Sequence, residues 1–165
     1  MSEKCSILFI QKKCIQCHGC EVACKSWRNV EIGVNWRRVN ISWHGGYPDI
    51  KMVPVMVACL HCAKPACVAA CPTGAIEKRA ADGVVLVNQE KCIGCKVCLE
   101  ACPYSVPQFG ADGKMQKCDR CFQETDGRCS VPPCVATCPT KALQLVSQDK
   151  NVYLSFTYCD QSLEK

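Results

Sequence analysis

Long apolar stretches are missing from this 165-residue sequence. A bilayer-crossing helix needs about 18 consecutive apolar residues, and the longest candidate, Met52 to Leu60, already contains Pro54 and Cys59. No direct membrane span is expected. The segment Met1 to Ile10 lacks the apolar region of a secretory signal, which argues against a secreted disulfide scaffold and for a cytoplasmic protein. A glycine-rich nucleotide motif, a flavin site and a catalytic dyad are also missing, so the chain is not expected to be an enzyme by itself.

Cysteine, by contrast, is abundant: there are nineteen, a density at which thiol chemistry rather than hydrophobic burial is expected to organise a small fold. Sixteen fall into four groups. These are Cys14, Cys17, Cys20, Cys24; Cys59, Cys62, Cys67, Cys71; Cys92, Cys95, Cys98, Cys102; and Cys118, Cys121, Cys134, Cys138. The first and third share the spacing C-x2-C-x2-C-x3-C and local sequence, KCIQCHGCEVAC against KCIGCKVCLEAC. The second and fourth share their ends, PACVAACPTGAI against PPCVATCPTKAL. Two repeat types in alternating order point to a duplicated supersecondary unit.

The spacing points to [4Fe-4S] clusters. A cubane offers four iron corners, and a C-x2-C-x2-C loop reaches three of them. In two-cluster ferredoxins the fourth cysteine, the one before proline, serves the other cluster. Proline follows Cys71, Cys102 and Cys138, whereas Lys25 follows Cys24. Zinc is the competing reading, because Cys59-x2-Cys62 and Cys118-x2-Cys121 are also zinc-knuckle spacings. It leaves the third cysteine and the Cys-Pro endings without a purpose. The long gap in the fourth group keeps a zinc ion or a three-iron cluster open there.

The formal net charge of +5 does not imply nucleic-acid binding. Four oxidised clusters with their thiolates, each near −2, would bring it to about −3. Cys5, Cys129 and Cys159 receive no ligand role; Cys5 and Cys159 are expected to be buried small residues and Cys129 a free thiol. His18 and His61 lie inside cysteine loops, where the plain expectation is a surface histidine and the alternative a hydrogen bond to a cluster. Short strands are expected at Cys5 to Gln11, Met52 to Val57, Val84 to Asn88, Ala142 to Val146 and Val152 to Phe156. Short helices follow the loops, and Cys20 with Cys24, like Cys98 with Cys102, should share a helix face. The segment Trp27 to Lys51 reads as an insertion.

Four stretches carry a family resemblance: CIQCHGCEVACKSWRNVEIGVNWRRV, CLHCAKPACVAACPTGAI, DGVVLVNQEKCIGCKVCLEACPYSVPQF and KCDRCFQETDGRCSVPPCVATCPTKAL. Over residues 4 to about 146 the chain resembles the four-cluster, ferredoxin-like electron-transfer subunits of the dimethyl sulfoxide reductase family. The resemblance implies an α+β fold of two nested bacterial 2[4Fe-4S] ferredoxin-like units. Residues 1–51 plus 109–165 would form the outer unit, with the insertion at about 27–51, and residues 52–108 the inner one. It also implies the ligand sets. Cys14, Cys17, Cys20 and Cys138 would hold one cluster, and Cys24, Cys118, Cys121 and Cys134 its neighbour. Cys59, Cys62, Cys67 and Cys102 would hold the third, and Cys71, Cys92, Cys95 and Cys98 the fourth. The implied partner is a large catalytic subunit with a molybdenum or tungsten pterin. A further electron-transfer subunit, or copies of the chain itself, would stand at the other end. Similar small subunits serve tungsten aldehyde oxidoreductases, and a free polyferredoxin-type carrier is the alternative function. Export together with a partner bearing a twin-arginine signal is compatible with a cytoplasmic origin.

Overall fold

The structure is a computed structural model that describes residues 5–122 and 131–147. Among the described residues, eight strands form four separate two-stranded antiparallel sheets, β1–β8, β2–β3, β4–β5 and β6–β7, connected by short helices. The result is a mixed α and β, ferredoxin-like architecture.

Strand β1 (Cys5–Phe9) pairs with β8 (Leu143–Ser147), with Cys5 opposite Ser147 and Phe9 opposite Leu143. Its aliphatic and aromatic residues suit a pleated, half-buried surface. After a single 3-10 turn at Gln11–Lys13, helix α1 (Gly19–Trp27) carries both Cys20 and Cys24. The hairpin of β2 (Arg37–His44) and β3 (Lys51–Ala58) is in register from Arg37 opposite Ala58 to His44 opposite Lys51. At its turn Gly45 has φ +84, where an added Cβ would collide with the Asp49 carbonyl oxygen. The side chain of Gln11 donates to the Pro54 carbonyl at 2.9 Å and so ties the N-terminal turn to β3.

The rest of the chain is built from one-turn pieces. Helix α2 (Ala66–Ala69) leads to the β4 (Ile76–Lys78) and β5 (Val85–Val87) hairpin. Helix α3 (Val97–Glu100) leads to β6 (Gln108–Phe109) and β7 (Met115–Gln116). Helix α4 (Pro133–Ala136) precedes β8. Proline at the start of α2 and α4 has a φ suited to helix entry and no amide left over to satisfy. Helix α1 packs on α4, and α2 packs on α3.

The aliphatic core is correspondingly small. Ile76, Val85, Cys98 and Met115 are buried together, with Cys67, Cys71, Cys92 and Phe109 packed against them. Cysteine thiols therefore occupy space that leucine or valine would fill in an ordinary domain.

Several expectations need revising. Strands β2, β4, β6 and β7 were not anticipated, and β2 lies inside the segment read as an insertion. The strand expected to begin at Met52 runs over Lys51–Ala58, because it is lengthened by its β2 partner. Cys102 does not share a helix with Cys98, since α3 stops at Glu100 and the Cys102 amide makes a tighter bond to the Leu99 carbonyl at 3.2 Å. Cys5 is buried as expected, but it is also disulfide-bonded. The expected strand Val152 to Phe156, together with Cys129 and Cys159, lies outside the described residues.

Candidate metal centre

All four cysteine loops share one backbone device. The residue before the second cysteine is left-handed in each: Gln16 at φ 58, His61 at 49, Gly94 at 70 and Arg120 at 62. In the first and third loops a second left-handed residue precedes the third cysteine, His18 at φ 55 and Lys96 at 63. Left-handed backbone costs a residue with a Cβ about 1–2 kcal/mol. It recurs here at three places one residue before the second cysteine and two places two residues before the third, occupied by Gln, His, Lys and Arg rather than glycine. Left-handed residues set between ordinary ones gather amides into a concave nest for an anion, and a thiolate-bound cluster is an anion.

A second device follows the Cys-Pro steps. Gly74, Ser105 and Lys141, each three residues beyond Cys71, Cys102 and Cys138, have φ of 62, 48 and 52. Their amides bond back to those cysteine carbonyls at 3.3, 3.1 and 3.2 Å. Cys24, which lacks the proline, remains inside α1, and its carbonyl accepts the Arg28 amide at 3.1 Å. The departure seen at Lys25 is thus a continuing helix.

Two cavities show what these loops enclose. Cys14, Cys17, Cys20 and Cys138 line one hollow, walled by Phe9, Val39, Met56 and Leu143. Cys71, Cys92, Cys95 and Cys98 line another, walled by Ile76, Phe109 and Met115. In each, three thiols come from one loop and the fourth from a Cys-Pro step far along the chain. Apart from His18 and Thr140 in the first and Thr73 and Lys96 in the second, the walls are apolar, and thiols dominate the donor set, which suits iron-sulfur chemistry and not the oxygen-preferring cations. Among the described residues no three Cys, His, Asp or Glu side chains converge on a point narrow enough for a single ion; the thiols surround a wider space.

Hydrogen bonds prepare these sulfurs for negative charge. Burial pushes the Cys71 thiol up, but the Thr73 hydroxyl and the amides of Ile76, Ala75 and Thr73 outweigh it and bring the thiol below its ordinary value. Cys138 is lowered in the same way, by the Leu143 amide and the Thr140 hydroxyl acting against burial. The Met115 amide donates to Cys92 Sγ at 3.4 Å.

The remaining eight thiols also come together. Cys24, Cys121 and Cys134 are each within electrostatic reach of Cys118, and all four are buried. Burial first, and then the neighbouring Cys118, push both Cys24 and Cys121 up to about 12. Cys67 lies within reach of Cys59, Cys62 and Cys102. Burial raises Cys59 and Cys67, and it raises Cys20 and Cys98 to about 11. Such crowded, desolvated thiols give up their protons when a metal replaces them. The sets also adjoin one another: Cys20 senses Cys134, Cys59 senses Cys118, and Cys98 senses Cys67.

Among the described residues two cations are deeply buried, Lys117 at 4% exposure, beside Cys118 in the sequence, and Arg37 at 2%, which no cysteine spacing marks. Lys117 Nζ donates to the carbonyls of Val85 and Cys118, and its charge is felt by Cys59 and Cys67. Lys78 Nζ clamps the second loop through the carbonyls of Cys62 and Ala63 at 2.8 and 2.7 Å. The histidines divide. His18 is half-buried, with Nδ1 3.1 Å from Glu21 Oε1. His61 is buried rather than at the surface: its Nδ1 accepts the Val85 amide at 2.9 Å and its Nε2 lacks a partner. Among the described residues no helix is long and apolar enough to cross a membrane.

Comparison with known proteins agrees with this chemistry. A family described as a 4Fe-4S dicluster domain matches residues 50–148, and one described as a 4Fe-4S binding domain matches residues 11–27. A chain of the anaerobic dimethyl sulfoxide reductase of Haemophilus influenzae is 39% identical over 90% of this chain and 76% of its own length. The formate dehydrogenase iron-sulfur subunit of Wolinella succinogenes is 39% identical over 81% of this chain and 76% of its own. A subunit of the sulfite dehydrogenase of Allochromatium vinosum is 39% identical over 78% and 62%. The sulfur-lined cavities, the repeated left-handed loops and these relatives lead to one conclusion: the chain belongs to the ferredoxin-like iron-sulfur electron-transfer subunits of the dimethyl sulfoxide reductase family.

Proposed function

We propose that the chain holds four [4Fe-4S] clusters and conducts single electrons between a large molybdenum or tungsten pterin catalytic subunit and a second redox partner. The observation that carries this is the pair of cavities, each lined by three thiols of one loop and one thiol from a distant Cys-Pro step. Cys14, Cys17, Cys20 and Cys138 hold the first cluster, and Cys24, Cys118, Cys121 and Cys134 the second. Cys59, Cys62, Cys67 and Cys102 hold the third, and Cys71, Cys92, Cys95 and Cys98 the fourth. When bound, each cluster supplies reversible one-electron chemistry and nothing more.

The chain's own residues do the rest. Phe9, Met56, Phe109 and Met115 keep water off the sulfurs, and the left-handed loops fix the thiols. The electrostatic contacts Cys20 to Cys134, Cys59 to Cys118 and Cys98 to Cys67 support a linear order of sites from first to fourth. The β1–β8 pairing and the α1 to α4 packing support an outer unit of 1–51 plus 109–165. The β4–β5 and β6–β7 hairpins with α2 on α3 support an inner unit of 52–108. The concentration of free thiols suits the reducing cytoplasm.

Purified anaerobically, the protein should be brown with about sixteen irons per chain, and a large pterin-containing subunit should co-elute from the native source. Zinc in place of iron would overturn the cluster reading. A lone monomer that reduces several unrelated enzymes would overturn the subunit reading.

A further inference from the structure

Arg37 is the most deeply buried charge in the described structure, at 2% exposure. It begins β2, opposite Ala58 on β3. Its side chain has no carboxylate partner among the described residues. One terminal nitrogen, Nη1, donates to the thioether of Met56 at 2.8 Å, and Nε is buried without an acceptor. An uncompensated guanidinium in such a place is costly, since a buried charge normally requires a counter-ion and satisfied donors.

The surroundings supply the missing counter-ions. Met56, the one acceptor, also walls the cavity of Cys14, Cys17, Cys20 and Cys138. Arg37 is also within electrostatic reach of Cys24, Cys118 and Cys134 in the crowded second set. Burial opposes the charge, but the sulfurs of Cys134, Cys118, Cys20 and Cys24 outweigh it and hold the guanidinium protonated. Those four sulfurs divide between the first and second proposed sites. Among the described residues the other deeply buried cation, Lys117, lies beside Cys59 and Cys67 and next to Cys118.

From this position we infer that Arg37 is a shared counter-charge between the two outer clusters, a positioning and tuning residue that raises the reduction potential of both. The inference rests on the four-cluster reading. A fixed positive charge favours the reduced, more negative state of each cluster. At the effective dielectric near 20 that describes such sites, a unit charge within roughly 10 Å shifts an equilibrium by about tenfold or more. Both outer sites feel the same fixed charge, and because the sets adjoin, with Cys20 near Cys134, an electron placed on one cluster repels an electron arriving at the other. The two outer clusters should therefore titrate as a coupled pair.

The test is potentiometric titration of the anaerobic holo-protein followed by electron paramagnetic resonance, on wild type, Arg37→Gln and Arg37→Lys. In Arg37→Gln two of the four couples should fall by at least tenfold in reduction equilibrium, 59 mV for a one-electron step. The cluster on Cys71, Cys92, Cys95 and Cys98 should not move. Arg37→Lys should restore most of the shift. Loss of the two outer clusters in Arg37→Gln with retention in Arg37→Lys would also support the inference, since charge then holds them. Unchanged potentials in Arg37→Gln, or equal damage in both variants, would overturn it. Fewer than four clusters in the wild type would instead refute the cluster count, and that is read separately from its iron content.

Discussion

Removing the Cys138 thiol is the sharpest test of the proposed exchange of ligands between distant segments. Cys138 lines one cavity with Cys14, Cys17 and Cys20, more than a hundred residues away in sequence, while Cys134 lies one helical turn before it among Cys24, Cys118 and Cys121. Cys138→Ala deprives one site of a corner. Complete loss of that cluster removes about four of about sixteen irons, and survival as a three-iron form removes about one. Double variants provide the magnitude that decides, because effects within one site do not add whereas effects at separate sites do. Cys14→Ala with Cys138→Ala should still cost only about four irons, and Cys118→Ala with Cys138→Ala about eight. Iron and protein would be assayed on the same anaerobic sample, with resonance spectra to show whether Cys14→Ala and Cys138→Ala lose the same signal. If Cys138→Ala is additive with Cys14→Ala and non-additive with Cys118→Ala, the exchange is wrong.

Other outcomes follow from local geometry. Gly94→Ala places a Cβ 2.5 Å from the Gly113 carbonyl oxygen at φ +70. It should cost about 1–3 kcal/mol in thermal unfolding of the holo-protein, whereas Gln16→Gly at the matching place should change stability by no more than about 1–2 kcal/mol. Met115→Ala empties a side chain that is 1% exposed beside Cys92 and Cys98. It should cost about 2–5 kcal/mol, and iron should be lost from that site first. His61 is held well below its usual 6.5 by burial and by the Lys117, Arg120 and Lys78 charges. The unfolded chain thus takes up a proton below pH 6.5 that the folded chain refuses. Stability contributed by neutral His61 is full above that pH and falls as the solution is acidified, so His61→Gln should flatten the acid side of a stability profile.

The cysteine spacing made the four loops legible, since spacing is a local property and a cubane's demands are local at three of its corners. Neither the β2 strand nor the role of Arg37 was legible. The run Arg37–His44 mixes charged, polar and aromatic residues, and it becomes a strand because β3 lies beside it. Arg37 looked like one more basic residue of a basic chain, and only the tertiary fold places it among sulfurs. His61 misled for the same reason: its loop position suggested solvent, but the Val85 amide across the β4–β5 hairpin captures its ring. The α3 boundary failed on a smaller scale, because Pro103 lets the chain after Leu99 tighten instead of continuing as helix.

The pairing of β1 with β8 has a bearing on biosynthesis. The first described strand cannot find its neighbour until residues 143–147 have been made, so a growing chain must carry the Cys14 loop incomplete through most of translation. The segment from Cys59 to Cys102 contains all eight inner thiols and can be matured while the remainder is still being made. On the proposed ligand set, closing Cys14 to Cys138 then acts as a late crosslink. In the chain-entropy treatment of disulfides, a link across about 100 residues removes about 4.7 kcal/mol of unfolded-state freedom. On that ligand set, delivery of iron and sulfur to the outer pair would be the step that fastens β1 and β8 together, and a shortage of either should leave the inner pair of sites filled and the outer pair empty.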